Sequence, residues 1–332
     1  MSRRLQLLLF TLGAAAFAYL VARIGVGRLF ADAVQTGWLF VPIFLLYGVV
    51  YLCNAWAWWL TMADDPSHPP FWQTYTIIVA GFSLNFMTPM VNVGGEPFKI
   101  AAVAPWLGVR RAAGSVVIYQ MLHTLGMVLS YLTAIVLGAV LLPPHPATLA
   151  TLALAFVVLA GLVALLVMAH RRGGLERALD LLHRIPLVDR LARRLEPRRA
   201  VLAQMDEQIT DFYHRRPRRF FQALALEYVS RSIFMFEYVL IALGVGLNIT
   251  FFQAYVIGGL TSLVQNIIFV VPFEVGTKEG SLYLMFQLLG LDPALGVYTA
   301  IVSRLRDLSW IGGGLVLVWL SGRRAPQRAA AP

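Results

Sequence analysis

The hydrophobic residues of the chain form long continuous runs, which differ from the alternating pattern of soluble helices and strands. A mostly apolar run of about 18 residues or more can cross roughly 30 Å of hydrocarbon as a helix. Such runs predict an all-α polytopic membrane protein. The six segments of this length, each predicted to be a transmembrane helix, are 5–24, 38–62, 113–142, 147–169, 220–247 and 293–320.

Two further apolar stretches do not fit this simple pattern. Each one ends at a proline and is followed by a turn that contains glycine and glutamate, and then by a short apolar segment. Pro and Gly interrupt helices, and irregular backbone at membrane depth persists only where it is buried in protein or lines a polar cavity. We therefore predict two re-entrant helical hairpins, over 71–107 and 251–289. The alternative interpretation is eight or more ordinary helices, two of them short and tilted.

The two predicted hairpins resemble each other in sequence. Both begin with Phe, continue with an aromatic residue and Gln, and reach a proline seven residues before a glutamate. This similarity predicts an internal repeat, with units at about 38–142 and about 220–320. The matched positions lie 180 to 183 residues apart and pair Phe71 with Phe251, Pro89 with Pro272, Glu96 with Glu279, and Gly108 with Gly290.

The distribution of basic residues predicts the orientation of the repeat. Segment 170–219 contains 13 arginines, and basic loops are retained on the cytoplasmic side of a membrane. With this loop inside the cell, six crossings place both termini in the cytoplasm. The predicted location is the cell inner membrane. The hairpin at 71–107 then enters from the cytoplasmic face and the hairpin at 251–289 from the opposite face. Such an arrangement is typical of inverted-topology transporters.

Composition supports the membrane interpretation and narrows the function classes. Of the 332 residues 59% are hydrophobic and 13% are charged, whereas soluble domains carry about 25% charged residues. Cys53 is the single cysteine, which excludes a disulfide framework. The net charge of +10 is concentrated in the 170–219 loop, which favours contact with anionic lipid headgroups. No nucleic-acid module, metal site or cofactor motif accompanies this charge, so none of these ligands is expected.

Ionisable residues inside apolar spans supply the candidate chemistry, because such groups are costly and usually face a partner or a cavity. Adjacent glycines permit close approach of a ligand, and a helix N-terminus offers amide groups to a phosphate. We expect lysine and arginine to bind phosphate, and carboxylates to contact amine or hydroxyl groups. The candidate headgroup-binding residues are Asn92, Gly94, Gly95, Glu96, Lys99, Arg231, Glu237, Gly276, Lys278, Glu279, Arg304 and Asp307.

Structural interpretations of the same residues remain open at this point. Glu96 is also favoured as a first-turn helix residue, and Lys99 lies at the right spacing to pair with it. On the fifth span, Glu227 and Arg231 are four residues apart and are expected to form an ion pair. The other expectations are that Glu237 has no local partner, that Arg304 and Asp307 share a helix face from which Arg306 points away, and that His123 is a hydrogen-bonded core histidine.

The turn at 92–99, Asn-Val-Gly-Gly-Glu-Pro-Phe-Lys, and the turn at 272–280 resemble the flippase-like membrane domain of lysylphosphatidylglycerol synthases and its stand-alone relatives. The resemblance covers about 5–320. It implies a lipid flippase or scramblase that moves an aminoacyl-, glyco- or polyprenyl-linked lipid between leaflets. Since the aminoacyl-transferase domain of the full synthases is lacking here, the chain is not expected to be an enzyme. A lipid-modifying enzyme is a possible partner.

The same resemblance leaves a second function open. An integral-membrane enzyme, or an accessory subunit, of lipid-linked sugar or hopanoid modification would use the same groove to hold its substrate. Glu96 is the candidate base for such a reaction. No Asp-rich motif of the kind that binds a metal–diphosphate accompanies it, which disfavours glycosyl transfer.

Overall fold

The computed structural model describes residues 27, 34, 36–87, 94–171, 210–268 and 276–323, the last few side chains of the second long segment and of the final one excepted. All regular structure in these residues is helical, which confirms the predicted all-α class for this part of the chain. The predicted span at 5–24 and most of the 170–219 loop lie outside the described residues.

The helices follow the apolar runs closely. Three stretches within them are long and apolar enough to cross a membrane by length and composition: Gly37–Met62, Gly95–Leu141 and Pro146–Ala164. Each contains or overlaps a predicted span. After a 3₁₀ turn at Gly37–Leu39 the described helices are α1 Phe40–Met62, α2 Phe71–Met87, α3 Gly95–Leu141, α4 Pro146–Arg171, α5 Pro217–Gly244, α6 Phe251–Ile267, α7 Thr277–Leu288 and α8 Pro293–Arg323.

Helices α5 and α8 are also long enough to cross a bilayer, at 28 and 31 residues, or about 42 and 46 Å. Both carry charged side chains near their middle, which lowers their mean hydropathy below that of the other long helices. Most of these charges are buried, and Arg231 is half-buried. Most of the ionic side chains are therefore enclosed by protein, as the cost of exposing them to hydrocarbon requires.

Glycines with positive φ separate the short helices from the long ones in both halves. Gly108, with φ 74° and ψ 156°, interrupts α3 after its first segment, and Gly290, with φ 70°, lies between α7 and α8. Residues with a Cβ rarely adopt this conformation, so glycine is required at both bends. The sequence alignment of the hairpins pairs these two glycines.

Helices α1 and α5 pack against each other in antiparallel orientation. At one end Asp64, just after α1, binds Arg216 and Arg219 at the start of α5. At the other end Ile43, near the start of α1, packs on Ile241, near the end of α5. This pair forms the centre of the described fold.

The first helix of each predicted hairpin packs against the long helix of the other predicted repeat unit. Helix α2 contacts α8, where a Cβ on Gly314 would lie 1.9 Å from Ser83 Oγ. Helix α6 contacts α3, where a Cβ on Gly259 would lie 2.4 Å from Ala134 Cβ. Absent side chains thus allow close backbone approach at both contacts. Each predicted repeat unit thus packs one of its short helices against a long helix of the other unit.

Candidate functional site

A compact polar cluster lies at the first Gly/Glu turn, where α3 begins. Glu96 lies in the first turn of the helix, where a carboxylate is favoured by the helix dipole. Its Oε1 accepts a hydrogen bond from Asn85 Nδ2 at 3.0 Å and pairs with Lys99 Nζ, also at 3.0 Å. Asn85 Oδ1 in turn accepts the Gly95 N–H at 2.7 Å. The structure therefore contains the Glu96–Lys99 pair that the spacing allows.

The glycines of this turn stay predicted ligand contacts, and the structure shows in addition how they pack. A Cβ on Gly95 would lie 2.2 Å from Gly81 O and 2.8 Å from Asn85, so Gly95 permits the close approach of α2. Gly94 has ordinary helical angles, φ −66° and ψ −32°. Asn92 lies outside the described residues. Gly95 thus has a packing role between helices in addition to the predicted ligand contact.

Glu96 and Lys99 retain unused hydrogen-bonding capacity. Glu96 Oε2 is buried and has no hydrogen-bond partner among the described residues. The Lys99 side chain is buried, and its Nζ lies 5.2 Å from the centre of the Tyr119 ring. An ammonium carries three N–H donors, of which Glu96 takes one, so Lys99 can still donate hydrogen bonds to an anion. The free Glu96 oxygen can accept a hydrogen bond from a hydroxyl or amine group.

The second Gly/Glu turn is more fully satisfied. Gly276, with φ 84°, precedes α7, and its N–H donates to Glu279 Oε2 at 2.8 Å as part of a helix cap. Arg304 on α8 donates to both oxygens of Glu279, through Nε at 2.6 Å and Nη2 at 3.0 Å. This bidentate pair fixes α7 to α8 and occupies the carboxylate.

An ionic network lies deeper between α8, α5 and α7, and it corrects one expectation from the sequence. Arg306 Nη2 lies 3.1 Å from Glu237 Oε2 and 3.3 Å from Asp307 Oδ1. Asp307 also binds Lys278 at 3.0 Å. Glu237, which has no local partner on its own helix, therefore pairs with a cation of another helix. The corrected expectation is that for Arg306, which belongs to the charged cluster even though it does not share the Arg304–Asp307 face.

The position of Arg306 explains why helical spacing failed to identify it. Its guanidinium is 1% exposed and stacks 3.7 Å from the centre of the Tyr47 ring on α1. Both of its main contacts, to Tyr47 and to Glu237, are with other helices. The available sequence signal was the presence of two unmatched opposite charges, Arg306 and Glu237, on separate apolar helices.

His123 joins α3 to α5 and confirms the predicted hydrogen bonding, although its side chain is half-buried and does not lie in the core. Its Nδ1 lies 2.7 Å from Glu227 Oε2, and its Nε2 lies 2.6 Å from Arg231 Nη2. The expected direct pair between Glu227 and Arg231 is wrong: both side chains bind the imidazole between them. A guanidinium can only donate, so Nε2 accepts and Nδ1–H donates to Glu227.

The contacts of His123 and Arg306 occupy matched positions in the two predicted repeat units. Arg306 lies 183 residues after His123, and Glu227 lies 180 residues after Tyr47. These are the offsets that relate the two hairpins. Thus α3 contacts α5 through His123 and Glu227, and α8 contacts α1 through Arg306 and Tyr47.

One end of the fold carries a separate group of ion pairs around a pocket of about 400 Å³. Asp65 binds Arg111 at 2.7 Å, and Asp64 binds Arg219 at 2.6 Å. The hydrogen bond from the Ser67 backbone N–H, together with Arg111, lowers the pKa of Asp65 below its ordinary value. Asp64 and Asp65 thus serve arginine partners in a polar turn.

Long apolar helices that enclose balanced, buried charges define a multi-pass helical membrane protein. The chain matches the family described as "Lysylphosphatidylglycerol synthase TM region" over residues 5–313. It belongs to this family, and is thus a membrane protein involved in lipid handling. No curated protein and no solved structure matches the chain.

Proposed function

We propose that the protein is a flippase or scramblase that moves a polar-headgroup lipid between the leaflets of the cell inner membrane. The observation that carries this proposal is the pair of Gly/Glu helix starts, each of which holds a carboxylate against a cation inside an apolar fold. Buried ionic groups are costly in a membrane and usually mark a substrate path. Membership of a lipid-handling family makes a lipid headgroup the natural substrate.

An inverted repeat would give this path access to both leaflets. Helices α1 and α5 occupy matched positions and run antiparallel, and α2–α8 contacts are matched by α6–α3 contacts. A two-fold axis that exchanges antiparallel neighbours is perpendicular to them, and so lies in the membrane plane if the helices cross it. The hairpins at 71–107 and 251–289 would then enter from opposite faces.

The orientation of the proposed transporter in the membrane follows from the end of the fold that carries the arginine–aspartate ion pairs. Arg111, Arg216 and Arg219 gather where α1 ends and α5 begins, beside the arginine-rich 170–219 segment. The link at 248–250, at the other end of α5, contains no basic residue. Basic residues are retained in the cytoplasm, so we place this end, and with it both termini, inside the cell.

The two turns would act differently on a headgroup. Lys99 and Glu96 have unused donors and acceptors and can bind a phosphate and an amine or hydroxyl group. Glu279 is saturated by Arg304 and Gly276, so that site must exchange a partner before it takes a ligand. The acyl or isoprenoid chains would remain in the surrounding lipid.

Loss of either carboxylate is expected to slow lipid transport. Charge-assisted hydrogen bonds contribute about 1.5–3 kcal/mol, so Glu96→Gln and Glu279→Gln should each reduce the rate about tenfold or more. The measurement is dithionite quenching of fluorescent phosphatidylglycerol in proteoliposomes. Asp292→Asn is the matched control, because Asp292 accepts the Ala294 N–H in an exposed turn and asparagine can do the same. Wild-type rates for both folded glutamine variants would contradict the carboxylate role.

The proposal assigns transport without group transfer. Purified protein incubated with a nucleotide-sugar donor and a polyprenyl-phosphate acceptor is expected to form no glycolipid above a blank without protein, as judged by mass spectrometry of the extracted lipid. A product that disappears in Glu96→Gln would instead support the enzyme interpretation.

A further inference from the structure

We propose that His123 and Arg231 form a proton-linked binding site for a phosphate group, in which protonation of His123 releases Arg231 to the ligand. The site deepens the proposed function, on which it rests for the identification of the phosphate with that of a lipid headgroup. His123 controls the guanidinium and, once protonated, also donates a hydrogen bond to the ligand.

The geometry requires a neutral imidazole. Arg231 Nη2 lies 2.6 Å from His123 Nε2, and a guanidinium has donors only, so this nitrogen must carry a lone pair. Protonation would place an N–H on Nε2 against the N–H of Arg231, with two cations in contact. The contact with Glu227 at Nδ1, 2.7 Å long, would instead gain charge and persist. Taking up a proton therefore breaks one contact selectively.

Arg231 has hydrogen-bonding capacity left for a ligand. Its side chain is half-buried, and His123 Nε2 is its hydrogen-bond acceptor within the described part of the chain. The His123 side chain is 26% exposed. After protonation, Nε2–H and the freed guanidinium become two neighbouring cationic donors on partly exposed side chains. Phosphate oxygens are the acceptors that match such a pair.

The surrounding charges balance only while His123 is neutral. Glu96 and Lys99 on α3 form one pair, and Glu227 and Arg231 on α5 supply one charge of each sign. Helices α2, α4 and α6 place no charged side chain here in their described residues. The remaining titratable groups that face the site are Tyr119 on α3 and Tyr47 and Cys53 on α1.

A proton on His123 thus adds a positive charge that a bound anion would neutralise. Proton and phosphate should bind together, and each should raise the affinity for the other by the same factor. Since a single proton is linked, the dissociation constant can fall by at most about tenfold for each pH unit. Histidine is the side chain whose ordinary titration range lies nearest physiological pH, so the linkage is tested by lowering the pH from about 8 to about 5.5.

Calorimetric titration of purified protein with dioctanoyl-phosphatidylglycerol at about pH 5.5 and about pH 8 tests this site. Wild type should bind about tenfold or more tightly at the lower pH. His123→Gln, which keeps one donor and one acceptor without titrating, should bind equally at both. Arg231→Gln should lose binding at both. His145→Gln removes an exposed histidine at the start of α4 and should behave as wild type.

Two further arms make the outcome decisive. Titrations of wild type in buffers of different ionisation enthalpy should show proton uptake on binding, a measurement that does not depend on any variant folding. Glycerol 3-phosphate tests whether the acyl chains matter: binding as tight as that of the lipid would identify a soluble phosphate ester as the ligand and remove the link to lipid transport.

The site and the transport proposal can fail separately. A pH-dependent affinity that persists in His123→Gln, or the absence of proton uptake in wild type, would overturn the proton-linked site even if lipid transport is normal. Proton-linked lipid binding without transport in proteoliposomes at either pH would support the site and contradict the flippase.

Discussion

Arg306→Met is expected to lower the free energy of unfolding severely, by about 3–5 kcal/mol. This is the usual cost of removing one partner of a buried ion pair and leaving the other charge in place. The substitution leaves Glu237 buried without its cation, since Arg306 is its ion-pair partner within the described residues. Asp307 keeps Lys278, so the effect isolates the Glu237 charge. The loss also removes the stacking of the guanidinium on Tyr47. Thermal unfolding in detergent, followed by loss of a monodisperse elution peak, measures the change.

Two comparisons show whether the unpaired carboxylate is the cause. Adding Glu237→Leu to Arg306→Met should recover most of the lost stability, because no unpaired charge then remains. Arg215→Met breaks the exposed pair with Asp211, in which the arginine is 79% exposed, and should change stability by less than about 1 kcal/mol. If Arg306→Met were as stable as Arg215→Met, the buried network would not hold α8 against α5.

Gly95→Ala is the second substitution with a large expected effect, although it adds a single methyl group. That carbon would lie 2.2 Å from Gly81 O, which is a backbone atom and cannot rotate away. Overpacking costs about 1–3 kcal/mol, and we expect the upper end because the helices themselves must separate. The separation of the helices would also strain the hydrogen bond from the Gly95 N–H to Asn85 and displace Glu96. Both the unfolding temperature and the rate of lipid transport should fall.

Gly161→Ala provides the matched control for this steric effect. Gly161 lies in α4, and a Cβ there would meet no atom within 4 Å. Alanine has a higher helix propensity than glycine by about 1 kcal/mol, so this variant should be as stable as wild type or slightly more stable. If the Gly95 and Gly161 variants unfolded at the same temperature, the close contact between α2 and α3 would be of no energetic importance.

The apolar runs predicted most helices because length and hydropathy are properties of a continuous segment. The run at 38–62 and helix α1 coincide almost residue for residue, and the breaks at Gly108 and Gly290 fall where glycine interrupts the pattern. Spacing also identified Glu96 and Lys99 as neighbours, since residues three apart on a helix share a face. These features are local, and local rules suffice for them.

Contacts between helices were beyond the reach of those rules. The helices of this protein are apolar nearly all round, so periodicity does not indicate which side of one helix packs on another. The sequence therefore did not reveal the packing role of Gly95, and it left Arg306 outside the site because Arg306 does not share the face of Arg304 and Asp307. It also paired Glu227 directly with Arg231 and did not consider a third side chain between them.

The sequence by itself thus determined that the chain forms long membrane helices, that two Gly/Glu turns recur at a fixed offset, and which ionisable groups are present. Only the tertiary structure decided how these groups combine: Arg306 with Glu237, and His123 between Glu227 and Arg231. The physical reason is that a buried charge must find its partner wherever the packed helices bring one within reach. In this fold many of those partners belong to another helix, so helical spacing does not identify them.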